Sequence, residues 1–139
     1  MEYTYNYIIR PRFSDIDSYD IAHHSKYFCW FEEARFYFLF NCINLEKELI
    51  ATMKFPVTNI YCKYYKPVIY GNDYVIKAKV EYEIGNPIIK YSYKLVNENQ
   101  KVLYAKGYSE HIALDQEGNY VMDISDEIKE KLLSIQKNN

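Results

Sequence analysis

Residues 27–40, Tyr-Phe-Cys-Trp-Phe-Glu-Glu-Ala-Arg-Phe-Tyr-Phe-Leu-Phe, constrain the fold more than any other segment of the chain. The run is too long for one strand, holds no Gly or Pro, and is apolar around most of its circumference, which predicts a helix enclosed by protein. Such a helix needs a cover, and the remaining sequence reads as strands. Residues 3–13 set Tyr3, Tyr5, Tyr7 and Ile9 on one side with a period of two. Residues 57–66, 73–83, 88–96 and 102–114 are rich in Tyr, Ile and Val, with turn signals at 67–71, 85–87 and 97–100. The predicted order is strand, long helix, then an antiparallel meander of four strands. A short helix is expected near 45–50, and an amphipathic helix over 126–135 with Ser125 as candidate N-cap. Five strands must curl around the first helix to cover so much aromatic surface, so the expected class is α+β.

The chain has 139 residues and no internal repeat or linker, the size of one domain, so residues 1–139 are expected to form a single unit. A net charge of −2 with scattered Lys and Arg gives no footprint for nucleic acid. Cys29, Cys42 and Cys62 are odd in number and form no C-x-x-C pair, which argues against a disulfide framework and fits a reducing cytoplasm. The N-terminus lacks the features of a signal peptide and no apolar run is long enough for a membrane span, so no membrane partner is expected.

Chemistry concentrates in residues 13–27, Phe-Ser-Asp-Ile-Asp-Ser-Tyr-Asp-Ile-Ala-His-His-Ser-Lys-Tyr, between the first strand and the helix. The helix start offers unpaired N–H groups and the positive end of a dipole, which would polarise a carbonyl and stabilise the oxyanion formed in acyl transfer. A carboxylate nearby would act as nucleophile or as general base toward water. The residues also admit plainer roles. Asp17 could satisfy turn donors, Asp15 reads as a structural acid, and His23 and His24 could cap or pack. A metal site from His23, His24, His111 and the acids is disfavoured, because adjacent histidines lack the i, i+4 spacing of ligands on one helix face. Glu32, Glu33 and Arg35 read as the polar stripe of the helix, and Cys29 as packing.

The order Asp15-Ile16-Asp17, His23-His24, Tyr27, Trp30-Phe31-Glu32-Glu33-Ala34-Arg35 resembles the acyl-CoA thioesterases of the 4-hydroxybenzoyl-CoA thioesterase type, which have the hotdog fold. Similar strings recur at Phe55-Pro56-Val57, 64–73, 107–111 and 115–118, so the resemblance covers nearly the whole chain. It implies a curved five-stranded antiparallel sheet wrapped around a long central helix, and hydrolysis of a small-molecule acyl-CoA to free acid and CoA. Asp17 would be the catalytic carboxylate, and the backbone N–H near His24 would polarise the thioester carbonyl. His23 and Tyr27 would bind substrate, Lys63, Lys66 and Lys90 are candidates for the CoA phosphates, and no metal or organic cofactor is implied. It also implies a homodimer or homotetramer with the site between subunits. Two other readings stand beside it: a thioesterase acting on acyl carrier protein, and a catalytically silent acyl-CoA-binding module. The chain departs from the family pattern at Ser18-Tyr19-Asp20, where a glycine is usual, and at Lys26, where Asn is common. Asp20 can adopt a left-handed conformation, and its charge near Asp17 would call for compensation by Lys26 or a protonated His23.

Overall fold

In a computed structural model that describes residues 1–137, five antiparallel strands form one curled sheet. They are β1 (Glu2–Ile9), β2 (Val57–Tyr64), β3 (Tyr74–Glu81), β4 (Ile88–Asn97) and β5 (Leu103–Ile112), in the spatial order β1-β3-β4-β5-β2. Only β3, β4 and β5 are a meander. The expected four-strand meander fails because residues 65–73 do not turn back as a hairpin: they carry the chain from one sheet edge, past the start of the helix, to the far side of β5. Val68 is fully buried on this path, and its carbonyl accepts the Ala22 N–H at 2.8 Å. The crossover and the loop before the helix are thereby fixed to each other.

The central helix, α1 (Lys26–Tyr37), continues into a wider π-helical turn over Phe38–Cys42, where the Ile43 N–H reaches the Phe38 carbonyl at 3.1 Å. Tyr27, Trp30, Phe31, Ala34 and Phe38 recur at helical spacing and are buried against the concave sheet face. The Phe31 ring lies parallel to Tyr93 at 4.3 Å, and Tyr5 donates from its hydroxyl to the Ala34 carbonyl at 2.8 Å. Burial on this scale is worth about 1.5 to 3 kcal/mol for each large apolar side chain. The expectation of an enclosed helix holds for one face only. Cys29, Glu32, Glu33, Phe36 and Tyr37 are exposed along the other, so Cys29 is a surface residue and not packing.

Two helices complete the chain, α2 (Lys47–Thr52) and α3 (Asp126–Lys137); Ile128, Leu132 and Ile135 are the buried stripe of the second. Ser125 does not cap it: its Oγ is buried without a hydrogen-bond partner, while Asp123 accepts the Ile124 N–H and pairs with Lys129. Period-two burial in β1 follows the predicted side, with Tyr5 and Ile9 buried and Glu2, Thr4, Asn6 and Ile8 outward. The strand stops at Ile9, short of the expected 13, because Pro11 removes a donor and residues Phe13–Asp15 wind into a 3-10 turn. Among the described residues no helix is long and apolar enough to cross a membrane.

Candidate active site

The loop before α1 is a small closed hairpin. Ile16 and Ala22 bridge, the Asp17 N–H donates to the Ile21 carbonyl at 2.9 Å, and Asp20 turns the chain with φ of +62°. Asp20 thus takes the left-handed conformation expected of it in place of glycine. Asp17 uses Oδ1 to accept the Tyr19 N–H at 2.8 Å, while Oδ2 accepts no hydrogen bond among the described residues. Its carboxylate is half-buried and opens on a cleft of about 440 Å³ with His24, Tyr27, Tyr64, Tyr65 and Lys66. Four of the predicted site residues therefore meet in one place.

Asp15 has the structural role read from the sequence. It is buried, accepts the Arg12 N–H at 2.8 Å, and has Arg12 Nη2 and Lys26 Nζ each 3.8 Å from Oδ1. Lys26 therefore pairs with Asp15 and not with Asp20, so the expected compensation of Asp20 by Lys26 is absent. His23 acts at the helix entry: its Nδ1 accepts the Ser25 N–H at 3.2 Å and lies 2.7 Å from Ser25 Oγ, and its carbonyl accepts the Lys26 N–H.

At His24 the feature of interest is the backbone. The Tyr64 hydroxyl donates to the His24 carbonyl at 2.8 Å, while the His24 N–H reaches no acceptor among the described residues. No acidic side chain occupies the first turn of α1, which leaves its positive dipole end uncompensated. A free N–H at the head of a twelve-residue helix, beside a carboxylate with an unused oxygen, is an arrangement suited to acyl transfer. Tyr27 is buried below it, its ring edge-on to Tyr64 at 4.6 Å, and burial raises its phenol pKa.

Sequence reasoning missed Tyr64 and Tyr65, which look like ordinary strand tyrosines until the end of β2 is seen to meet the helix start. Lys63 lies over the Tyr65 ring at 5.5 Å, adjacent to the cleft. Lys90 is not brought to the cleft: it stands on the outward sheet face in register between Glu81 and Glu110.

A second, more enclosed cavity of about 300 Å³ was also not anticipated. It lies beside α1 and is lined by Arg35, Phe36, Leu39, Phe55, Tyr91 and His111 among others. A directed chain of hydrogen bonds links two of its polar lining residues, Arg35 and His111, through the buried Tyr93 and Ser109. His111 Nδ1 donates to the Phe55 carbonyl at 3.0 Å, so Nε2 accepts from Ser109 at 2.9 Å. Ser109 in turn accepts from Tyr93 at 2.7 Å, and Tyr93 from Arg35 at 3.3 Å. This order requires neutral His111, and burial, with the nearby Arg35 charge, lowers its pKa to about 4. Because the unfolded chain binds this proton near pH 6.5 and the folded one only near 4, stability is full above pH 6.5 and falls as pH drops toward 4. The expected loss is about 3 kcal/mol. Urea unfolding at pH 7 and pH 4.5 measures it; an equal midpoint at both, corrected with a His111→Gln variant, would contradict the assignment.

Residues 11–132 match the family model of the thioesterase-like superfamily. A relative from Aquifex aeolicus (strain VF5) named "Putative esterase" is 31% identical over 103 residues, 73% of this chain and 78% of its own length. A Bacillus subtilis (strain 168) protein named "Putative acyl-CoA thioesterase YneP" is 29% identical over 113 residues, 78% of either chain. The crystal structure of DHNA-CoA thioesterase from Staphylococcus aureus superposes with a TM-score of 0.83 at 21% identity, over 96% of this chain and 91% of that one. With most of its length matched and its sheet curled around α1 in the hotdog manner, this chain belongs to the thioesterase-like superfamily and is a thioester hydrolase.

Proposed function

We propose that the chain, acting as one domain, hydrolyses acyl-CoA thioesters, with Asp17 as the catalytic carboxylate and the His24 N–H as the oxyanion donor. The observation that carries this reading is the half-free carboxylate of Asp17 sharing a cleft with His24, whose N–H at the head of α1 meets no acceptor among the described residues. A thioester needs little more than these two groups and water, because its thiolate leaves readily. The carbonyl oxygen takes the His24 N–H, charge builds toward the helix dipole, and the carboxylate attacks or activates water on the open side. Tyr64 is a positioning residue, since its hydroxyl holds the His24 peptide. Tyr64→Phe is expected to lower kcat several-fold with KM little changed; an unaltered kcat would remove that role.

The acyl group is assigned to the apolar cavity beside α1, and two copies of the chain complete the site. β2 is an edge strand, exposed along most of its length and paired only with β5. Phe55, Pro56 and Val57 of the acyl cavity lie at its start, and Tyr64, Tyr65 and Lys66 of the Asp17 cleft at its end. Antiparallel pairing of two such edges about a two-fold axis sets the cavity of one subunit beside the cleft of the other, and removes an unprotected edge. The exposed Phe36 and Tyr37 on α1 also support a partner. The deciding measurement is thiol release from short, medium, long and aromatic acyl groups on CoA and on acyl carrier protein. Preferential release from CoA is expected; no release from any CoA thioester would refute the reading.

A further inference from the structure

The outer face of the sheet carries a row of four lysines directly opposite one another. Lys77 on β3 pairs with Lys94 on β4, Lys94 with Lys106 on β5, and Lys106 with Lys63 on β2. At the usual strand separation the row is about 14 Å long. All four are exposed, and among the described residues none is in an ion pair. Neighbouring rows are balanced: Lys79 pairs with Glu2 and Glu81, and Lys90 lies between Glu81 and Glu110. Like charges set opposite one another across strands destabilise a sheet, and the chain as a whole, at net charge −2, has no excess of positive charge to account for such a row.

Beside the row, Tyr61 and Tyr108 stack at 5.3 Å and are 46% and 40% exposed. Lys77, Lys94 and Lys106 of the row line a groove of about 570 Å³ together with both tyrosines, and Lys63 continues the row beside it at the β2 edge. An exposed, stacked tyrosine pair next to a line of uncompensated cations fits a ligand with a planar base and several phosphates.

We propose that this groove binds the nucleotide end of CoA, the adenine against Tyr61 and Tyr108 and the phosphates along Lys63, Lys106 and Lys94. The inference rests on the acyl-CoA reading above and names where its carrier sits. The position is consistent with one ligand spanning both places, since Tyr61 and Tyr65 are four residues apart at the β2 edge, about 13 Å in extended chain. A linear arm joining thioester to nucleotide bridges that distance.

The test measures binding of adenosine 3′,5′-bisphosphate and of ATP to the full chain. It also measures kcat/KM for one acyl group carried on CoA and on N-acetylcysteamine, which has no nucleotide. Wild type is compared with a Lys94→Gln/Lys106→Gln double variant and with Tyr108→Ala. The bisphosphate is expected to bind, to weaken with salt, and to bind about ten-fold less well to the double variant. The CoA to N-acetylcysteamine ratio should fall by a similar factor, and the bisphosphate should inhibit hydrolysis of the CoA thioester alone. Equal bisphosphate binding by wild type and double variant, no binding to either, or an unchanged carrier ratio with hydrolysis intact overturns the groove and leaves the reaction standing. Row-dependent bisphosphate binding with no thiol released from either carrier overturns the reaction and leaves the groove. ATP binding as tightly as the bisphosphate, with equal inhibition on both carriers, identifies a regulatory nucleotide and overturns the CoA assignment.

Discussion

Asp17→Asn is expected to lower kcat for thioester hydrolysis by about two to four orders of magnitude and to leave the melting temperature where it was. The substitution isolates one property. Asparagine keeps an oxygen at the Oδ1 position, so the Tyr19 N–H retains its acceptor and the hairpin from Ile16 to Ala22 stays closed. What disappears is the negative charge and the basicity of the second oxygen, the one that no donor among the described residues occupies. If Asp17 served only to satisfy turn donors, the Asn variant would hydrolyse substrate as well as wild type, and steady-state kinetics would show it at once. Asp15→Asn is the contrasting case. Its carboxylate is buried between the Arg12 amide and the cations of Arg12 and Lys26, so losing its charge should lower the unfolding midpoint first and activity only through the loop it supports.

The structural half of that contrast, Asp15 as a hydrogen-bonding acid, was legible in the residues. Asp17 was singled out there only by the resemblance to the thioesterases, since the residues alone equally suit an acid that satisfies turn donors. Elements whose cause is local were legible too: α1 from its unbroken apolar run, β1 from its alternating tyrosines, and the left-handed Asp20. What escaped is non-local. Residues 67–71 read as a hairpin turn because Pro67 and Gly71 punctuate it, yet the segment is a crossover whose Val68 is buried beside the helix, a matter decided by sheet order. Tyr64 and the chain from Arg35 to His111 escaped for the same reason, since apart from the local Ser109–His111 link their partners are 40, 58 and 16 residues away. Lys90, which the structure sets away from the Asp17 cleft, is a different case. Any exposed strand lysine is a candidate for a phosphate until the register shows which neighbours already balance it, and Lys90 has two glutamates while Lys94 and Lys106 have none.

Register also identifies the most consequential glycine. Gly107 lies on the inward side of β5 between Tyr93 and Cys62, directly beneath α1. A Cβ at this position would stand 2.6 Å from Phe31 Cε2, 3.0 Å from Phe31 Cζ and 2.8 Å from the Tyr61 carbonyl oxygen. Its backbone has no need of glycine's left-handed freedom; the residue is required because helix and sheet approach too closely for any side chain. Gly107→Ala should therefore destabilise the fold by about 1 to 3 kcal/mol or more, and Gly107→Val further. The two clashes differ in kind. Phe31 can tilt only by abandoning its parallel contact with Tyr93, whereas Tyr61 is backbone within a hydrogen-bonded ladder and has nowhere to move. A Gly107→Ala/Phe31→Leu double variant should thus recover part of the loss but not all of it. Chemical denaturation of the two single variants and the double measures the coupling, and strict additivity would show that Phe31 is not what excludes the methyl group.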